Sequence, residues 1–395
     1  MDRSAPQQNW SYLVIPYGRQ SINKDDIAAV EAVLWSDYLT QGPVVPRFEH
    51  AVAARVGAGH AVAVNSATSA LHIACAALDL GPGDLLWTSP NTFVASANCG
   101  RYCGAEVDFV DIDPATFNIC PDALEAKLEA AKRVDRVPKV IVAVHMCGQS
   151  PDMARIATLA RAHGVRIIED ASHSIGADYL GAPVGNCTHS DITVFSFHPV
   201  KIITTAEGGM ALTNDAELAA RMERLRSHGI TRDPALMTHE PDGPWYYQQL
   251  ELGWNYRMTE IQAALGLSQM DRLNAFIARR RALADAYDNL LSDLPLRCPG
   301  RMEGANSSWH LYVIRLDDPT HHLTVFEALR ADGIGVNLHY IPVHLQPYYR
   351  ALGFDQGDFP ASEDYYARAI SIPLHAGLTD EEQRLVVAAI TKALA

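Results

Sequence analysis

Lys201 lies in a sequence setting where an amine can act as a nucleophile. It follows the apolar run Val194-Phe-Ser-Phe-His-Pro199 and is flanked by Val200, Ile202 and Ile203. Apolar surroundings disfavour the ammonium form, so such a lysine is more readily neutral than one on the surface. A second run, Val165-Arg-Ile-Ile-Glu-Asp-Ala-Ser-His173, ends in a carboxylate, Asp170. A buried carboxylate is costly unless it meets a positive group. A protonated pyridine nitrogen is such a group, and the pairing keeps an aromatic ring electron-withdrawing. His173, three residues on, is spaced to stack on that ring or hydrogen-bond to it. A third run, Val62-Ala-Val-Asn-Ser-Ala-Thr-Ser-Ala-Leu71, passes from a strand pattern into a helix pattern. A helix N-terminus offers unpaired N–H groups, so Ser66, Ala67 and Thr68 are spaced to hold a phosphate.

Each feature also has a plainer use. Ser66 or Thr68 can simply cap a helix, as can Asp170. Lys201 can snorkel to the surface. A fourth segment, Leu252-Gly-Trp-Asn-Tyr-Arg-Met-Thr-Glu260, offers Asn255 and Arg257 as phosphate donors, while Thr259 reads equally well as an N-cap. The histidines of Asn337-Leu-His-Tyr-Ile-Pro-Val-His344 are five apart with Pro342 between, a poor spacing for a metal, and no metal is expected. No Gly-x-Ser-x-Gly elbow, Gly-x-Gly-x-x-Gly turn after the first strand or Gly-Lys phosphate loop is present.

The elements that must position these residues alternate. Strand-like runs fall at Ala61–Val64, Val107–Asp111, Val140–His145, Arg166–Ile168, Ile192–Phe195 and Gly209–Leu212. Helical patterns fall between them at Ser69–Leu78, Pro121–Lys132 and Met153–His163. This alternation predicts an α/β layer with a mostly parallel central sheet, whose ligands bind beyond the carboxyl ends of the strands. Glu260–Ser292 reads as one long helix, with Arg279, Arg280 and Arg281 on a solvated face. Beyond it, His310–Leu316, a helix near Thr324–Arg330 and Ile334–Asn337 predict a smaller C-terminal α+β domain. The expected division is 1–280 for the large domain with an N-terminal arm and 281–395 for the small one.

Composition sets outer limits. Of 395 residues, 48% are hydrophobic and 20% charged, an ordinary globular balance, and the formal net charge of −14 argues against a nucleic-acid partner. An anionic ligand must therefore be held by local donors against the overall field. The seven cysteines show no repeated pair spacing and read as reduced thiols. The opening MDRSAPQQNW lacks a signal-peptide pattern and no run is long enough to cross a bilayer. A cytoplasmic protein without a membrane partner is expected.

Taken in order, these segments resemble the DegT-type sugar aminotransferases, which are fold-type I enzymes dependent on pyridoxal 5'-phosphate (PLP). The resemblance runs from Ile15-Pro-Tyr-Gly-Arg19 to Gln346-Pro-Tyr-Tyr349, through 39–43, 65–70, Thr92-Phe-Val-Ala-Ser96, 169–173, 196–201, 207–209 and 255–258. It implies Lys201 as the Schiff-base lysine and Asp170 as the partner of the pyridinium nitrogen. Phe93 would stack on the ring, and Ala67, Thr68 and Ser196 would hold the phosphate. Asn255 would reach the phosphate from the neighbouring subunit, which implies a homodimer with shared active sites. Where one branch of the family carries a histidine in place of the lysine and deoxygenates sugars, Lys201 here implies transamination.

Within the family, the strings at 169–176, 198–209, 245–258 and 337–349 look like the transaminases of the pseudaminic-acid pathway. That likeness implies glutamate as amino donor, a cofactor alternating with its PMP form, and a UDP-linked 4-keto-6-deoxy sugar as acceptor. Tyr17, Arg257, His339 and Tyr340 are the candidate substrate contacts. Competing readings are another nucleotide-linked keto sugar, an amino-acid lyase or aldolase, and a PLP-binding regulator without turnover.

Overall fold

The computed structural model describes residues 15–395; the opening segment 1–14, part of the expected N-terminal arm, lies outside the described residues. Seven strands form the main sheet: β1 (His60–Val64), β2 (Leu85–Thr88), β3 (Glu106–Phe109), β4 (Val140–Val144), β5 (Arg166–Asp170), β6 (Ile192–Ser196) and β7 (Gly209–Thr213). Their order is β1-β7-β6-β5-β4-β2-β3. The pairs β6–β5, β5–β4, β4–β2 and β2–β3 are parallel, and only β7 runs against its neighbours. The mostly parallel α/β sheet predicted from the alternation is thus observed.

Because the sheet is covered on both faces, its strands read as continuous apolar runs. Every residue of β4, Val-Ile-Val-Ala-Val, is buried. Alternate residues feed two cores. Ile141, Ala143 and Ile167 pack with Phe48 of α2 (Val44–Val56) and Leu128 of α5 (Pro121–Arg133); α1 is Lys24–Leu34, and α6 is Met153–Ala162. Val140, Val142 and Ile168 pack on the other side with Leu71 and Ala74 of α3 (Ala67–Ala77) and Cys99 of α4 (Ala95–Tyr102). Met222 of α7 (Ala216–Leu225) joins this second core. A third core lies in the C-terminal part, where β8 (Leu296–Arg297), β9 (Tyr312–Leu316) and β10 (Ala369–Ile372) form a small antiparallel sheet.

The structure corrects three expectations. The segment 260–292 is two helices, α8 (Glu260–Met270) and α9 (Leu273–Leu290). The break lies at Asp271-Arg272, where Arg272 turns back to bond Asp26 and the carbonyl of Ser21. The arginine run is not a solvated face. Arg280 is buried and donates to the carbonyls of Trp309, His310 and Leu374, and burial pulls its guanidinium down to about 10. Arg279 donates to the carbonyl of Leu378, and Arg281 to those of Ser307 and Gly176. The segment 334–337 is not a strand. It makes isolated bridges, Ile334 to Ile15 and Asn337 to Ser371, because Gly335 docks its N–H on the carbonyl of Ile15 at 2.7 Å.

Candidate active site

A cleft of about 530 Å³ opens beside β4, β5 and β6, where the ends of β5 and β6 meet the start of α3. Ser66, Ala67, Thr68, Phe93, Asp170, His173, Ser196 and Lys201 line it, and Tyr17, His339 and Tyr340 face it from the N- and C-terminal segments. Residues as far apart as 17 and 340 therefore share one site.

At the start of α3, both readings of the sequence hold together. Ser66 is the N-cap, its Oγ accepting the N–H of Ser69 at 3.1 Å, and the Ser69 hydroxyl donates to Asn65 Oδ1 at 2.7 Å. The amides of Ala67 and Thr68, in the first turn, have no carbonyl within the helix to bond. Gly209, at the start of β7, lets the chain come close here. A Cβ at that position would lie 2.5 Å from the amide nitrogen of Ala67.

Asp170 ends β5 and is 6% exposed. Its Oδ2 accepts from Ser96 Oγ at 2.6 Å and its Oδ1 from the N–H of Ser172 at 3.2 Å. Among the described residues no Lys, Arg or His forms an ion pair with it; its neighbour Glu169 instead pairs with His145 at 2.9 Å. Lys201 stands in a turn whose N–H donates to the carbonyl of His198 at 2.9 Å. Burial pulls its amine down to about 8, against the opposing pull of the Asp170 charge.

The remaining wall is rich in neutral imidazoles. His173 lies with its Nε2 3.2 Å from the Tyr340 hydroxyl and its ring 4.4 Å from that of His310. Burial, and then the positive charge of Lys201, holds His173 well below the usual histidine range. His339, hydrogen-bonded through Nδ1 to Ser371 Oγ at 2.8 Å, is lowered to about 4 by burial and by Lys201. Phe93 is 58% exposed, a large apolar ring offered to whatever fills the cleft.

Asn255 and Arg257 do not line this cleft. Arg257 bridges Val64 through its backbone, Tyr256 accepts the N–H of Asn65 at 2.8 Å, and Asn255 is exposed. Thr259 caps α8 in a reciprocal box with Gln262. Sequence reasoning passed over Thr92, Ser96, Ser172 and His310. Thr92 and Ser96 carried a usable signal, two hydroxyls one helical turn apart at the head of a helix. His310 carried none, since only the fold brings it to His173.

This donor set suits PLP: a carboxylate with no ion-pair partner among the described residues, a lysine readily neutral, first-turn amides at a helix start, and an exposed aromatic ring. Among the described residues, no group of three or more His, Cys, Asp or Glu is arranged to hold a metal, and no helix is long and apolar enough to cross a membrane.

Comparison with known proteins agrees. Residues 20–391 match the DegT/DnrJ/EryC1/StrS aminotransferase family. The chain is 40% identical to the spore coat polysaccharide biosynthesis protein SpsC of Bacillus subtilis, over 95% of this chain and 96% of that one. Among solved structures, Helicobacter pylori PseC, an aminotransferase of pseudaminic acid biosynthesis, is 33% identical with a TM-score of 0.88, covering 96% of this chain and 99% of its own. Streptococcus pneumoniae Spr1654 in its PMP form is 30% identical with a TM-score of 0.88, covering 96% and 98%.

Proposed function

This chain belongs to the DegT/DnrJ/EryC1/StrS aminotransferase family and is a PLP-dependent sugar aminotransferase, and we propose that it aminates the C4 ketone of a UDP-linked 4-keto-6-deoxy sugar with L-glutamate. The proposed acceptor is UDP-2-acetamido-2,6-dideoxy-β-L-arabino-hexos-4-ulose, on the way to pseudaminic acid. The observation that carries the chemistry is the cleft shared by Lys201 and a carboxylate, Asp170, that forms no ion pair among the described residues. The sugar assignment rests on the likeness to PseC and on the strings at 198–209, 245–258 and 337–349.

When bound, PLP supplies an aldehyde for imine formation and a ring that stabilises negative charge on the adjacent carbon. The protein supplies position and protons. Asp170 would hold the positive end of the ring, and the amides of Ala67 and Thr68, with Ser66 and Ser196, would hold the phosphate. Phe93 would stack on the ring, and His173 would stack on it or hydrogen-bond to it. With its amine lowered to about 8, Lys201 can take up and return a proton near neutral pH. Over the full cycle glutamate leaves as 2-oxoglutarate and the sugar leaves with an amine at C4. Tyr17, His339 and Tyr340 would contact the sugar nucleotide from the opposite wall. Asn255, exposed and away from its own cleft, reaches the cofactor phosphate of a partner subunit in a homodimer whose active sites are shared.

The test is direct. Purified protein loaded with PLP is given glutamate and a panel of UDP-linked 4-keto sugars, and products are read by mass spectrometry. A 4-amino product is expected, with Lys201→Ala losing both the visible cofactor band and turnover. Amination retained by Lys201→Ala overturns the mechanism. Amination confined to other nucleotide-linked keto sugars transfers the substrate to the second reading.

A further inference from the structure

Asp170 is not held in place by its strand alone. Ser96, fully buried at the start of α4, lies 2.6 Å from Oδ2, and Thr92, 2% exposed on the cleft wall, lies 2.7 Å from Ser96 Oγ. An ionised carboxylate only accepts, so Ser96 must donate its proton to Asp170. Its oxygen is then left to accept, which fixes Thr92 as the donor to Ser96. The order is therefore one-way, from the Thr92 hydroxyl to the Ser96 hydroxyl to Asp170. The other carboxylate oxygen is held by the N–H of Ser172 at 3.2 Å, so rotation of the group about its own axis is blocked from both sides.

The chemistry of these donors matters as much as their geometry. Glu169, one residue earlier, is satisfied by an imidazole at 2.9 Å as well as by the Ser190 hydroxyl at 2.5 Å. A cationic side chain paired with Asp170 would compete with the ring nitrogen for its charge. Hydroxyls and an amide orient and stabilise a carboxylate without neutralising it, and charge-assisted bonds of this kind are the strong ones. We infer that Thr92 and Ser96 are positioning residues which aim Asp170 and hold its negative charge for the pyridine nitrogen of the cofactor. The inference rests on Asp170 being the partner of that nitrogen. It adds the two hydroxyls that set how strongly Asp170 acts.

The test uses full-length holoenzyme with Ser96→Ala, Ser96→Thr, Thr92→Val and Asp170→Asn. Without the Ser96 donor, the carboxylate keeps more of the shared proton, so the ring withdraws electrons less and the lysine-bound nitrogen becomes more basic. Ser96→Ala is expected to raise the pH midpoint of the visible cofactor band and to lower kcat about tenfold. KM for both substrates should stay within about twofold, since neither hydroxyl is placed against them. Ser96→Thr should restore both readings, and Thr92→Val should move both in the same direction by less. Adding Ser96→Ala to Asp170→Asn should change nothing further, because the hydroxyl acts through the carboxylate.

An unchanged band and unchanged kcat per folded, cofactor-loaded site in Ser96→Ala overturn the inference, even if thermal stability falls. Independent, additive effects of the two substitutions overturn it equally. If Asp170→Asn itself keeps the wild-type band and turnover, the assignment of Asp170 fails, and the inference fails with it.

Discussion

Glu169 and Asp170 are adjacent carboxylates on one strand, yet they sit on opposite faces of the sheet in different settings. Glu169 has an imidazole and two hydroxyls around it and lies away from the cleft. Burial alone would raise it, but His145 with the hydroxyls of Ser190 and Thr193 holds it below the usual carboxylate range. Asp170 has a hydroxyl and an amide, faces the cleft, and among the described residues has no ion-pair partner. The difference separates structural from functional burial. A buried charge matched by the protein's own groups is finished at folding, whereas one that faces a cleft without an ion-pair partner is prepared for a cation that arrives with a ligand.

Exchanging the pair for amides tests this most strongly. Asp170→Asn keeps the shape and removes the charge, and kcat should fall about a hundred- to a thousandfold, read with saturating cofactor. Glu169→Gln should leave kcat within about threefold but cost about 1–3 kcal/mol in denaturant unfolding. A large kcat loss from Glu169→Gln would break the comparison.

The cradle at the start of α3 comes next. Gly209→Ala places a Cβ against the Ala67 amide, and cofactor binding should weaken about ten- to a hundredfold by fluorescence titration. Lys201 gives a smaller, graded effect. With its amine near 8, the rate at which apo-protein takes up PLP should rise about tenfold from pH 7 to 9 and then level, since the neutral amine is the reactive form. A surface lysine near 10.5 would keep gaining beyond that range. The smallest effect belongs to Glu169 in acid. Its folded pKa is depressed, so its contribution to stability is complete above the ordinary carboxylate range and is lost as the pH falls through the folded value. Glu169→Gln should therefore flatten the acid limb of the stability profile.

Much of this site was legible because strand ends are local. The runs that deliver Asp170 and Ser196, the lysine among apolar neighbours, and the strand-to-helix passage at 65–70 were all visible in the order of residues. Strand edges moved by a residue or two, as with β5, which runs on to Asp170. What escaped was decided by distant partners. Nothing near Asp271-Arg272 breaks a helix, since the break follows from Asp26 and Ser21 at the other end of the chain. Three consecutive arginines look the same whether they face water or carbonyls. Thr92 and Ser96 bound a segment that resembles the family, but their importance depends on α4 packing beside the end of β5.

The arginine run has one more consequence. Arg280 binds carbonyls at 309, 310 and 374, while Arg281 binds those of Gly176, Asn306 and Ser307. Helix α9 thus rivets the C-terminal part, which carries His339 and Tyr340, to the loop that follows β5. Swinging that wall away would break bonds to a desolvated guanidinium, so these carbonyls resist opening of the cleft. A sugar acceptor entering the cleft would then be screened by size against a wall that these bonds hold in place.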